Sequence, residues 1–153
     1  MKIVIIGASF AGISAAIASR KKYPQAEISL IDKQATVGYL SGGLSAYFNH
    51  TINELHEARY ITEEELRRQK IQLLLNREVV AMDVENQLIA WAQKEEQQWY
   101  SYDKLILATG ASQFSTQIRG SQTEKLLKYK FLSGALAAVP LLEKSQTVAV
   151  IGA

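Results

Sequence analysis

Six residues, Gly7-Ala8-Ser9-Phe10-Ala11-Gly12, restrict the fold of this chain more than any others. The run before them, Lys2–Ile6, is short, apolar and rich in β-branched side chains, the pattern of a buried strand. After them, Gly12–Arg20 changes to small and helix-forming residues, so a helix is expected, with small residues on one face for close packing on a sheet. Pro24 marks the loop beyond it. Glu27–Ile31 repeats the strand pattern and ends at Asp32. Strand, glycine turn, helix and strand within about 30 residues make a βαβ unit. Its crossover is expected to be right-handed and its strands parallel.

The loop carries chemistry of its own. Gly7 permits the tight turn, and Gly12 lets helix and strand approach closely. Ser9 stands where a dinucleotide-binding loop has its middle glycine. It is small enough for the backbone to approach a pyrophosphate, and its hydroxyl can donate. The free N–H groups and helix dipole at Ser9–Gly12 suit an anionic diphosphate. Asp32 lies about 20 residues beyond Gly12, the separation at which an acid binds a ribose diol. A glycine turn without any ligand is the plain alternative. Strand, helix and acid together favour dinucleotide binding, without choosing between FAD and NAD.

Gly38–Gly43 reads as a glycine and serine loop, with a short helix starting over Leu44–Phe48. Thr62 and Glu65 have capping-box spacing, so a helix is expected to run from there to about Gln69. Ile71–Leu75, Val79–Val84, Leu88–Ala92 and Gln98–Tyr102 read as strands, broken by the polar stretches Glu85-Asn86-Gln87 and Lys94-Glu95-Glu96. The last three are expected to form an antiparallel meander. Lys104–Ala108 returns to a buried-strand pattern that ends at Thr109-Gly110. Ala111–Gln122 is polar and irregular, and Leu126–Glu143 is helix-like apart from Gly134 and Pro140. Thr147–Ile151 is one more buried-strand pattern, and Val148–Ala153 echoes Ile3–Ala8. A second βαβ unit is expected to begin there.

Four stretches together resemble the pyridine nucleotide–disulfide oxidoreductase superfamily, within it the branch of NADH oxidases, NADH peroxidases and coenzyme A–disulfide reductases. They are Gly7–Gly12, Tyr39–Tyr47, Tyr102–Ala111 and Val148–Ala153. The resemblance implies an α/β fold: a Rossmann-like FAD-binding domain with a parallel sheet and a three-stranded antiparallel meander. It implies that Gly7, Ser9, Phe10, Ala11 and Gly12 surround the FAD diphosphate, with Ala108, Thr109 and Gly110 close by. Asp32 would hold the adenosine ribose beside Lys33, backbone at Val79 would meet the adenine edge, and Ser41 and Gly42 would lie beside the isoalloxazine ring. Residues 1–111 are then the N-terminal part of the FAD-binding domain, 112–125 a linker, and 126–153 the truncated start of an NADH-binding domain. The longer parent would use NADH as substrate and form a homodimer. The apolar face of Leu126–Leu142 would fold back, cross to another copy or remain poorly ordered, and self-association is one consequence.

Two departures from that branch concern the reaction itself. Its redox cysteine follows the serine of the second stretch, and that position is Gly42; its oxidase and peroxidase histidine falls at Phe10. No catalytic residue is therefore assigned. The chain has no cysteine at all, which excludes within it a thiol nucleophile, a redox dithiol, a disulfide and a cysteine-based zinc site. The reading is the FAD-binding portion of an NADH-oxidase-like enzyme, itself inactive in isolation, whose electron transfer relies on flavin alone. A non-catalytic dinucleotide-binding module or inactive relative is the alternative. A free-standing NAD-binding protein is a third reading, disfavoured by the meander and the Ala108-Thr109-Gly110 strand end.

The remaining composition excludes other classes. Seventeen basic and 15 acidic residues give a net charge of +2, too even for a nucleic-acid binder. No apolar run approaches the roughly 18 residues of a membrane span. The N-terminus lacks a signal-peptide pattern, and a cytoplasmic location is expected. His50 and His56 have no metal-site spacing and read as surface residues. Trp91 and Trp99 read as packing residues of the meander, Glu63–Glu65 with Arg67-Arg68 as a solvated helical face, and Tyr39 and Tyr47 as flanks of the glycine and serine loop.

Overall fold

Alternation along the first strand decides the layering. The computed structural model describes residues 1–93, 96–111, 119–120 and 126–150. In β1 (Lys2–Ile6), Ile3 and Ile5 face one cluster of buried side chains while Val4 faces another. A strand can supply two cores only if both faces of its sheet are covered. The expected βαβ unit is present: β1, α1 (Phe10–Lys22) and β2 (Glu27–Ile31), with Lys2 opposite Glu27 and Ile6 opposite Ile31 in parallel register. β3 (Ile71–Leu74) pairs with β2, and β7 (Lys104–Leu107) pairs with β1, giving a parallel sheet of order β3-β2-β1-β7.

One face of this sheet carries α1 and α3 (Glu63–Arg68). Ile3, Ile5, Ile28 and Leu30 meet Ile13, Ala16 and Leu66 there. The other face carries the meander: β4 (Val79–Asp83), β5 (Leu88–Gln93) and β6 (Glu96–Ser101), antiparallel in that order. Val4 and Ile31 pack there against Ile89, Trp91 and Tyr102. A buried serine sits in the same layer. Ser29 Oγ donates to Gln72 Oε1 at 3.0 Å and lies 3.0 Å from the Tyr100 hydroxyl, so β2, β3 and β6 share one polar contact.

The chain divides into two units, Met1–Gly38 with Arg59–Gly110 and Tyr39–Ala58 with Ala111–Ala153. The three layers above belong to the first. The second holds α2 (Gly43–Phe48), a 3₁₀ turn at Leu55–Glu57 and α4 (Leu132–Glu143). Leu44 and Leu55 pack there on Leu132, Ala135 and Ala138, so the apolar face of α4 folds back onto its own unit.

Several boundaries differ from expectation. α1 begins at Phe10, two residues early, because Ser9 is extended and its carbonyl already accepts from Ile13 N–H at 2.9 Å. It also continues past Arg20 to Lys22. α4 begins at Leu132 rather than Leu126. A Cβ at Gly134 would collide with the Lys128 carbonyl, so the preceding segment crosses the first turn instead of extending it. Residues 147–150 are not a strand, and Val148 and Val150 are 62% and 79% exposed. An apolar β-branched run becomes a strand only beside another strand, and none among the described residues pairs with it. The meander break at Lys94-Glu95 and most of the 112–125 linker lie outside the described residues.

Candidate functional site

The three strand ends of β1, β2 and β7 converge on the glycine turn. Gly7 N–H donates to the Ile31 carbonyl and Ala108 N–H to the Ile6 carbonyl, each at 2.8 Å. Gly7 has φ +109°, open to glycine at little cost, and a Cβ there would collide with the Ala108 carbonyl. A Cβ at Gly12 would run into the Gly7 carbonyl. Both glycines are thus demanded by backbone packing, which brings the N-terminus of α1 down onto the sheet.

That N-terminus carries neither a side-chain cap nor an internal anion. Ser9 is the N-cap but its side chain makes no capping bond, and no acidic residue lies in the first turn. The first-turn N–H groups therefore keep their partial positive charge. Arg20, Lys21 and Lys22 occupy the last turn, where cations suit the opposite end of the dipole. The Arg20 guanidinium also donates to the carbonyls of Pro24, Ala26, Gln69 and Lys70 at 2.7–3.0 Å. It ties the end of α1 to β2 and to the turn after α3.

Asp32 borders the turn. One carboxylate oxygen accepts from Ala8 N–H at 2.6 Å and the other from Gln34 N–H at 2.7 Å. Its own N–H donates to the Leu74 carbonyl at 3.1 Å, and its carbonyl accepts from Arg77 N–H at 2.9 Å. The carboxylate is therefore fixed in position, and with about four lone-pair sites it retains acceptors for a diol. Lys33 Nζ pairs with Glu78 at 3.1 Å, both side chains exposed, which brings Lys33 to the residue before Val79. Val79 opens β4 opposite Trp91, beside a bulge between Val79 and Ala81.

The structure thus gathers Gly7, Ser9, Phe10, Ala11, Gly12, Asp32 and Ala108 around one turn, with Lys33 linked to the start of β4. Thr109 and Gly110 follow β7 and are exposed; Gly110 has φ +66° and open space where a Cβ would be. Ser41 and Gly42 belong to the second unit. They are exposed at the start of α2, where the Gly42 carbonyl accepts from Ala46 N–H at 3.1 Å. Nothing lies within 4 Å of where a Gly42 Cβ would stand. Tyr39, in the same unit, has its hydroxyl raised above its ordinary pKa by burial, partly offset by a backbone hydrogen bond at Leu44.

Other side chains enter the picture from outside the motifs. Phe10 stacks on Tyr60 with ring centroids 4.5 Å apart and planes 5° from parallel. Burial raises the Tyr60 hydroxyl above its ordinary pKa. The Arg77 guanidinium lies 5.3 Å over the ring of buried Trp91, whose indole N–H donates to Gln98 Oε1 at 3.2 Å. No local signal marks Tyr60 or Arg77, because their partners are remote in sequence. Trp99 stands half exposed as the cross-strand neighbour of buried Ala90, on the face of the meander away from Trp91. Glu63 differs from the solvated face expected of it. It is partly buried, paired with Arg59, and accepts from Val37 N–H at 3.2 Å. His50 and His56 are exposed.

A family model described as pyridine nucleotide-disulphide oxidoreductase matches residues 1–153. The chain belongs to this family. Over 156 aligned residues it is 32% identical to an NADH oxidase of Lactococcus lactis subsp. cremoris (strain MG1363), covering 100% of this chain and 35% of that one. The chain thus spans about a third of that relative's length. It is 84% identical to the crystal structure of a pyridine nucleotide-disulfide family oxidoreductase from Enterococcus faecalis V583. That match covers 95% of this chain and 30% of the other, with a TM-score of 0.73. A water-forming NADH oxidase from Lactobacillus brevis bound to NADH shares the fold at a TM-score of 0.86 and 23% identity, over 94% of this chain and 32% of that one. Among the described residues, no helix of this family member is long and apolar enough to cross a membrane.

Proposed function

We propose that this chain binds FAD as the N-terminal portion of an NADH-dependent flavin oxidoreductase of the NADH-oxidase type. The observation that carries the reading is the uncapped, acid-free start of α1, pressed against the strand ends by Gly7 and Gly12 and flanked by the fixed carboxylate of Asp32. The cradle fits the group: Gly7 and Gly12 let α1 close on the strand ends, and the N–H groups of Ser9, Phe10, Ala11 and Gly12 face a diphosphate with favourable dipole. Ala108, Thr109 and Gly110 complete that side. Asp32 orients the ribose through its remaining lone pairs, Lys33 adds a cation beside it, and backbone at Val79 meets the adenine. Contact with the isoalloxazine ring is assigned to Ser41 and Gly42.

FAD, when bound, supplies two-electron chemistry with NADH. This chain has no cysteine, so its own side chains contribute no thiol step. NADH is the substrate of a longer, homodimeric parent in the cytoplasm. The present chain by itself does not turn over NADH, and it self-associates through the exposed Leu136 and Leu141 of α4. Gly42 and Phe10, at the positions of the branch's cysteine and histidine, favour a second reading as a non-catalytic dinucleotide module.

The decisive experiment is a visible spectrum of the purified chain followed by titration with FAD. Saturable binding that Asp32→Ala weakens about tenfold, or about 1.4 kcal/mol, supports the proposal. A colourless chain indifferent to FAD overturns it. NADH-driven oxygen consumption by a longer chain separates enzyme from module.

A further inference from the structure

The turn that opens α1 also carries an aromatic surface that diphosphate binding does not use. Phe10 is the first residue of α1 and is 54% exposed. One face of its ring lies on Tyr60, 4.5 Å away and parallel within 5°, and Tyr60 is itself 38% exposed. Tyr60 therefore fixes the plane of the Phe10 ring and leaves the opposite face to solvent. Phe10 offers neither charge nor proton, so a ligand can gain from it only by apolar contact and stacking. The faces of both rings are electron-rich, which favours an electron-poor partner. The same turn presents the uncapped N–H groups of α1, so a ring joined to a phosphate chain would be delivered there.

We propose that the free face of Phe10, backed by Tyr60, is a stacking subsite for a planar, electron-poor aromatic ring. The proposal takes its ligand from the dinucleotide reading above. Such a ring has two sources, the isoalloxazine of the bound dinucleotide or a free quinone-type compound.

The test is calorimetric titration of the full chain and its Phe10→Leu and Phe10→Trp variants with ADP, FAD and 1,4-naphthoquinone. Leucine keeps an apolar side chain on the turn, and circular dichroism checks that the fold is retained. The chain has no thiol to which the quinone could add. F10L should leave ADP affinity within about twofold, because ADP meets residue 10 only through its backbone N–H, which leucine keeps. It should weaken FAD or naphthoquinone about tenfold or more, and F10W should restore the loss. Loss for FAD alone identifies the dinucleotide's own ring; loss for naphthoquinone alone identifies a free ligand. If F10L changes neither, or lowers ADP in parallel with them, the subsite is overturned. Phe10-dependent naphthoquinone binding by a chain that takes neither ADP nor FAD would sink the dinucleotide reading and leave the subsite standing. A chain that binds none of the three sinks both.

Discussion

At the scale of single residues, glycines and one arginine matter most. Gly12 has no room for a methyl group, because its neighbour is the Gly7 carbonyl rather than a movable side chain. Gly12→Ala is expected to destabilise the chain by about 3 kcal/mol or more, read as a lower urea midpoint. Gly42 is the contrast. With open space around it, Gly42→Ala should leave the midpoint within about 0.5 kcal/mol. Arg20 could be read from sequence only as a favourable charge near a helix end. The fold instead wraps four carbonyls around it. Arg20→Ala is expected to cost about 3 kcal/mol, since hydrogen bonds from charged donors are worth roughly 1.5–3 kcal/mol each and are not additive. Lysine should rescue only part of this, because a point charge cannot fork to four acceptors.

At the scale of elements, α3 shows how local and tertiary determinants divide. Its start was legible: Thr62 and Glu65 form the capping box, with Glu65 Oε2 accepting from Thr62 N–H at 2.7 Å. Thr62→Ala should cost about 1 kcal/mol. The contact of Glu63 with Val37 was not legible, because the fold brings Val37 to it from 26 residues away. Burial would raise the Glu63 carboxyl, but hydrogen bonds from Arg59 and from backbone N–H groups outweigh it and hold the carboxyl below its ordinary value. The unfolded chain therefore binds a proton at Glu63 more readily than the folded one. Its stabilisation is fully present at neutral pH, begins to fade as pH falls through about 4.3, and is lost below the lowered folded value. Denaturation followed from pH 7 to pH 3 should show Glu63→Gln less stable at neutral pH and less sensitive to acid than the parent sequence.

At the scale of the whole molecule, protection should follow the layering. β1 and β2 each pair on both sides, and the residues of the first unit's cores come from both. The amides of Val4, Ile5 and Leu30 should therefore exchange slowest, near the free energy of global unfolding. Those of α4, which packs on a smaller cluster of leucine and alanine side chains, should exchange faster. Hydrogen exchange followed by mass spectrometry reads both, and equal rates in β1 and α4 would contradict the difference. The proposed self-association is tested by sedimentation at several concentrations. Leu136→Glu with Leu141→Glu should reduce it, and an unchanged profile would place the contact elsewhere.

Sequence alone determined the elements whose information is local. The glycine turn, the βαβ unit, the capping box and the meander strands each follow from residue spacing within one short window. Their backbone geometry and periodicity leave few alternatives, and the membership of the oxidoreductase family follows from the same motifs. Tertiary structure decided whatever depends on a distant partner. Residues 147–150 have the composition of a strand but pair with no described neighbour. Trp91 is buried and Trp99 half exposed, although both stand on meander strands. Phe10 found Tyr60, Arg77 found Trp91, and Glu63 found Val37. Spacing cannot encode these contacts, because each depends on where the sheet carries the second residue, and burial rather than pattern sets its energy.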